Sequence, residues 1–154
     1  MKLFDCTLYY DEDLILETRL NILDKYFDKF IICEAKYTHS GRKKKLNFNI
    51  NKFPEFKDKI IYLVDDREPE GTIYENNDGK KIENPKNWRA NAVKRIAKQR
   101  NKLLESINQL ADENDFIFYS DNDEIPNMKE FNKTKENSNI IIFEQKLFYY
   151  KFNL

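Results

Sequence analysis

Three apolar runs that each close on carboxylates constrain this chain more than any other feature. Phe30-Ile31-Ile32-Cys33 ends at Glu34, Ile60-Ile61-Tyr62-Leu63-Val64 at Asp65 and Asp66, and Phe116-Ile117-Phe118-Tyr119 at Ser120-Asp121-Asn122-Asp123-Glu124. Short, unbroken apolar runs read as buried strands. Leu3 to Leu8 makes a fourth, followed by Asp11-Glu12-Asp13. A parallel sheet presents its ligand site beyond the carboxyl ends of its strands, so acids at strand ends point to a site along one sheet edge. The duller reading is that carboxylates are ordinary in loops.

The segments between the runs have helical spacing. Over Asp13 to Phe27, Leu16, Leu20, Leu23 and Phe27 share one stripe, widened by Ile15, Ile22 and Tyr26, with Arg19 inside the arc. Trp88 to Ala111 predicts a second long helix, with Val93, Ile96, Ala97, Leu104, Ile107 and Ala111 on one face. Arg100 falls near the middle of that face, within about 60° of each at 100° per residue. A guanidinium there must be paired or lose heavily on desolvation. It either snorkels to an edge or faces a carboxylate or diphosphate that suits its fork, the preferred reading. Arg67 to Asn87 is polar and punctuated by Pro69, Gly71, Gly79 and Pro85. Two readings stay open for it, a flap over the site and a floppy excursion. Further on, Met128 to Lys135 predicts a short helix, and Ile140 to Glu144 and Leu147 to Tyr150 predict two strands.

The acidic turn carries the chemistry. Asp121 and Asp123, two apart at a strand end, are spaced to reach one hard divalent ion. Oxygen ligands with room for water and phosphate suit Mg²⁺ or Mn²⁺. Pro126 stops the strand. An acidic turn left in solvent is the plain alternative. An EF-hand is excluded, because the sixth place counted from Asp121 is Pro126 where a glycine is needed. An Asp-x-Asp phosphatase ranks low, because Glu124 and Ile125 follow Asp123.

Composition narrows the classes. Lys plus Arg and Asp plus Glu are 27 each, a formal net charge of zero, which argues against a general nucleic-acid binder. The 12 Phe and 9 Tyr supply core volume where Ala and Val are few. Cys6 and Cys33 lie in apolar runs outside any CxxC pair and read as buried, reduced thiols. The 154 residues suit one domain, 1–154. No signal peptide or membrane-length run is present, so the expectation is a soluble, cytoplasmic protein.

Five stretches together resemble glycosyltransferase family 17, the group that includes the enzyme adding bisecting GlcNAc to N-glycans. They are Phe4-Asp5-Cys6; Asp13-Leu14-Ile15-Leu16-Glu17-Thr18-Arg19-Leu20; Cys33-Glu34-Ala35-Lys36-Tyr37-Thr38-His39-Ser40-Gly41; Gln99-Arg100-Asn101; and Ser120-Asp121-Asn122-Asp123-Glu124-Ile125-Pro126. They follow the family's order along nearly the whole chain. The resemblance implies an α/β fold of GT-A type, a mostly parallel sheet flanked by helices. It implies inverting transfer of GlcNAc from UDP-GlcNAc to a carbohydrate hydroxyl, with Mn²⁺ or Mg²⁺ bridging Asp121 or Asp123 and the donor diphosphate. Thr7, Glu34 and Asp65 are implied at the nucleoside by their places at strand ends. Arg19 and Arg100 match family motif positions and are assigned to donor-site organisation, by contacting phosphate or by fixing a carboxylate. The family's pattern continues past the stretch resembling Leu147 to Phe152, so the expectation is a donor-binding part whose C-terminal part is short or missing. Glu144 is then the only late carboxylate placed on a strand, a weak candidate for the base. A non-catalytic nucleotide-sugar or metal-binding module derived from such an enzyme is the alternative.

Overall fold

The structure, a computed structural model, describes residues 1–77, 80–82, 84–129, 131–132 and 139–145. In chain order its elements are β1 (Leu3–Tyr9), α1 (Asp13–Leu23), β2 (Lys29–Ala35), two single 3₁₀ turns (Ile50–Lys52 and Pro54–Phe56), β3 (Ile60–Asp65), β4 (Glu75–Asn77), β5 (Lys80–Ile82), α2 (Pro85–Leu110) and β6 (Phe116–Tyr119). Strands β3, β2, β1 and β6 lie in that order in one sheet, with every pairing parallel. This is an α/β fold, as the apolar runs predict. Strands β4 and β5 form a separate antiparallel pair.

Alternation along the strands divides the core in two. Leu3, Tyr9, Phe30 and Ile32 face α1 and meet its Leu16, Leu20 and Leu23. Phe4, Cys6, Ile31 and Cys33 face the other way and meet Leu103 and Ile107 of α2. A parallel sheet covered on both faces needs strands apolar throughout, which is why the runs alone locate β1, β2, β3 and β6. Cys6 and Cys33 are buried free thiols, and burial pushes the Cys33 thiol up to about 12. Among the described residues no helix is long and apolar enough to cross a membrane.

The helices depart from expectation in informative ways. Helix α1 stops at Leu23 rather than Phe27. Lys59 Nζ donates to the carbonyls of Asp24 and Phe27, drawing the chain out of the helix, while the Phe27 ring stays in the core. Helix α2 starts earlier than Trp88, at Pro85, because Asn84 caps it by accepting from the Asn87 N–H and proline suits the first turn.

The buried face of α2 matches the predicted one only at its C-terminal end, at Ile107 and the partly buried Ala111. Asn91, Arg95, Gln99, Leu103 and Ile107 are buried, an i, i+4 row, whereas Val93 is 59% exposed and Leu104 54%. Only the C-terminal half of the helix lies over apolar strand residues. Its N-terminal half lies against loop backbone, which demands polar partners. A hydrophobic period cannot register such a row, so it placed Arg100 in a core where it is not found.

Near the C-terminus, residues 139–145 form no strand. Phe143 turns inward and packs its ring on Phe118 and Phe131, while Ile140 and Ile142 point to solvent. The alternation is that of a strand, but no ladder partner holds it among the described residues. Met128 is buried in a turn, with no helix across the described part of 128–135. The strand predicted over Leu147 to Tyr150 lies outside the described residues.

The α2 assignment separates two neighbouring leucines. Leu103→Ala should lower the unfolding free energy by about 2–5 kcal/mol, and Leu104→Ala by no more than ~0.5 kcal/mol. Urea unfolding of both variants reads the difference directly.

Candidate functional site

The chain lays β2 and β3 to one side of β1, then returns across α2 to place β6 on the other side. The strand order therefore reverses between β1 and β6. In open α/β sheets that reversal leaves a crevice beyond the carboxyl ends, where ligands bind. The turn Ser120-Asp121-Asn122-Asp123-Glu124 leaves β6 at that point.

Arg19 sets the shape of this turn. It reaches from α1 and is fully buried. Its Nε and Nη2 donate to the two carboxylate oxygens of Asp5 on β1, at 2.8 and 2.7 Å. Nη2 also donates to Ser120 Oγ at 2.7 Å. Nη1 donates to the carbonyls of Asp121 and Glu124 at 3.0 and 3.1 Å, with Asn122 O at 3.4 Å. Thr7 Oγ1 adds a bond to Ser120 O at 3.1 Å. The turn is thus wound around a guanidinium, carbonyls inward. Its carboxylates project outward: Asp121, Asp123 and Glu124 are all exposed. Glu124 Oε2 caps the Asp121 N–H at 3.1 Å. Asn122 is the exception, its amide buried with no hydrogen-bond partner among the described residues.

On the α2 side of the sheet, Arg100 overlooks the turn. Its guanidinium lies 5.4 Å from the centre of the Tyr119 ring, and Nη2 is 3.8 Å from Asp121 Oδ1. Both side chains are about half exposed, so the pair itself is worth ~1 kcal/mol or less. The guanidinium is therefore free to turn to a stronger anion. Burial raises the Tyr119 phenol pKa, and the charge of Arg100 opposes that rise.

The other predicted residues divide by exposure. Thr7, Arg19 and Glu34 are 1%, 0% and 0% exposed, so as they stand they present no surface to a ligand. The Glu34 carboxylate is surrounded by Lys44 Nζ, the N–H groups of Asn47 and Phe48, and Tyr62 OH at 2.7 Å. It pins the basic loop after β2 to β3, a structural use that a strand-end position does not reveal. Asp65 pairs with Lys98 of α2. It lines a cleft of about 610 Å³ at the end of β3, together with Asp66, Arg67, Glu70 and Lys102. Glu144 is exposed, and lies on the 139–145 segment rather than on a strand.

Reading the residues missed Asn91, Arg95 and Gln99, although the motif stretch begins at Gln99. Their signal is an i, i+4 row of polar residues on a helix whose apolar residues are elsewhere. Arg67 to Asn87 likewise resolves in part. The Asn91 amide exchanges two bonds with the backbone of Ile73, and Lys94 holds the Gly71 carbonyl. The segment's Pro69–Tyr74 part is thereby tied to α2.

The described residues include no group of three His, Cys, Asp or Glu arranged to hold a metal alone. Two carboxylates on a braced turn do suit an ion that takes its remaining ligands from water and a substrate phosphate.

Compared with known proteins, the whole chain, residues 1–154, matches the family model described as Glycosyltransferase family 17. No curated protein and no solved structure matches it.

If Arg19 braces the acidic turn, Arg19→Met and Asp5→Asn should each cost about 3–5 kcal/mol, because each leaves a buried partner uncompensated. Equilibrium denaturation measures this. A loss below ~1 kcal/mol in both would mean the turn is held by something else.

Proposed function

Because the chain belongs to glycosyltransferase family 17, and is a glycosyltransferase on that ground, we propose that it transfers GlcNAc from UDP-GlcNAc to a carbohydrate hydroxyl. The transfer is an inverting one on a GT-A-type scaffold, with a divalent ion, Mn²⁺ or Mg²⁺, at Asp121 and Asp123. The observation that carries this reading is the braced acidic turn at the strand-order reversal, its carboxylates outward and Arg100 beside them.

The parts divide the work by what they can reach. Asp121 and Asp123 offer exposed oxygens to the cation. Bound there, the ion supplies electrostatic stabilisation of the charge that develops on the departing diphosphate. Arg100 exchanges its weak contact with Asp121 for the diphosphate, whose paired oxygens fit its fork. Thr7, Arg19 and Glu34 act from behind the donor, by holding the turn and the loop after β2. The nucleoside extends toward Asp65 and the cleft at β3. Three strand spacings separate β6 from β3, about 14 Å, a span suited to an extended nucleotide.

Calorimetry against a panel of nucleotide sugars, with and without Mn²⁺, tests the reading. UDP-GlcNAc should bind more tightly with the ion. Asp121→Ala and Asp123→Ala should each abolish that gain with the thermal midpoint unchanged. Arg100→Leu should weaken donor binding on the order of tenfold with little loss of stability, since the side chain is half exposed. Parent-like UDP-GlcNAc affinity in both aspartate variants would remove the metal assignment. Release of UDP in the presence of a glycan acceptor separates an enzyme from a binding module.

A further inference from the structure

Helix α2 buries a cation that the acidic turn does not use. Arg95 is 5% exposed. Nε and Nη2 meet Glu68 Oε1, each at 3.2 Å. Nη2 donates to Tyr74 OH at 3.1 Å, and that phenol in turn donates to the Glu68 carboxylate. Nη1 donates to the carbonyl of His39 at 3.0 Å. One guanidinium therefore joins two separate loops, residues 36–44 after β2 and residues 66–74 after β3.

Gly41 shows how closely the first loop is drawn in. Its φ is +82°, and a β-carbon added there would stand 2.5 Å from Arg95 Nη2. The backbone conformation disfavours a side chain at this position, and one placed there would have to displace the guanidinium. On the second loop, Glu68 is flanked by Arg67, Pro69 and Glu70, all of which line the cleft at the end of β3. Moving Glu68 moves the wall of that cleft.

We propose that Arg95 is a positioning residue for the donor. By clamping the 66–74 loop to α2 it sets the shape of the cleft that takes the nucleoside, and it ties the 36–44 loop to the same point. This rests on the placement of the donor given above. Arg95 acts through the loops and not on the reacting atoms, so its loss falls on donor affinity. A planar fork is required, because Glu68, Tyr74 and the His39 carbonyl are met by different nitrogens of the guanidinium and a lysine's single nitrogen cannot span them.

Arg95→Lys keeps the charge and removes the fork. It should raise the donor KM on the order of tenfold while kcat and the acceptor KM stay within about twofold. Hydrogen exchange should quicken in both loops together. Tyr74→Phe removes one contact and leaves those to His39 and Glu68. It should shift donor KM the same way by less, and keeps the test open if the Lys variant folds poorly. A parent-like donor KM in Arg95→Lys, a fall confined to kcat, or loosening of one loop alone would overturn the proposal. If the parent binds no nucleotide sugar, the functional reading fails instead, and hydrogen exchange still decides whether Arg95 couples the loops.

Discussion

The interaction on which the rest of this structure depends is the buried pair of Arg19 and Asp5. It joins α1, β1 and the turn after β6 at one point, and every donor of the guanidinium fork is directed at a named acceptor. Asp5 balances the charge, and the turn's carbonyls and the Ser120 hydroxyl absorb the remaining donors. Such a pair contributes little net stability relative to apolar packing, but it is costly to break. Its effect is to impose one conformation on a short, highly charged loop that has almost no apolar side chain to anchor it.

That conformation has an electrostatic consequence. With the carbonyls turned in toward a cation, the three carboxylates of the turn are left outside, within four residues of one another and in water. Mutual repulsion would open an unbraced loop. The brace holds the turn against that repulsion, which the divalent ion of the proposed function would relieve. The buried amide of Asn122, with no partner among the described residues, fits the same logic: leaving it so costs about 1–3 kcal/mol, and the Arg19 contacts on either side hold the turn in place against that cost.

Helix α2 solves a different problem on the opposite face. Half of it covers strands and half covers loops, and its buried row changes from Asn91, Arg95 and Gln99 to Leu103 and Ile107 accordingly. The polar half ties the loops after β2 and β3 to the same rigid element that carries Lys98 and Arg100. The carboxyl edge of the sheet is thus organised by two arginines on two helices, one under the acidic turn and one under the cleft.

The four parallel strands were legible in the chain because burial on both faces leaves an unbroken apolar run, a local property. The strand-end acids were legible for the same reason. The α1 stripe was visible because it packs on apolar strands along its length. Tertiary structure alone decided which carboxylates face outward, since Glu34, near the end of β2, and Asp121, just past β6, are both strand-end acids, yet one is saturated by Lys44, Tyr62 and two backbone N–H groups while the other is exposed. It alone decided the buried face of α2, because a helix side that meets loop backbone buries polar groups, which no hydrophobic period records. And it alone turned Arg19 from an odd charge within an apolar stripe into the brace of the site, since its partners lie up to 105 residues away in the chain.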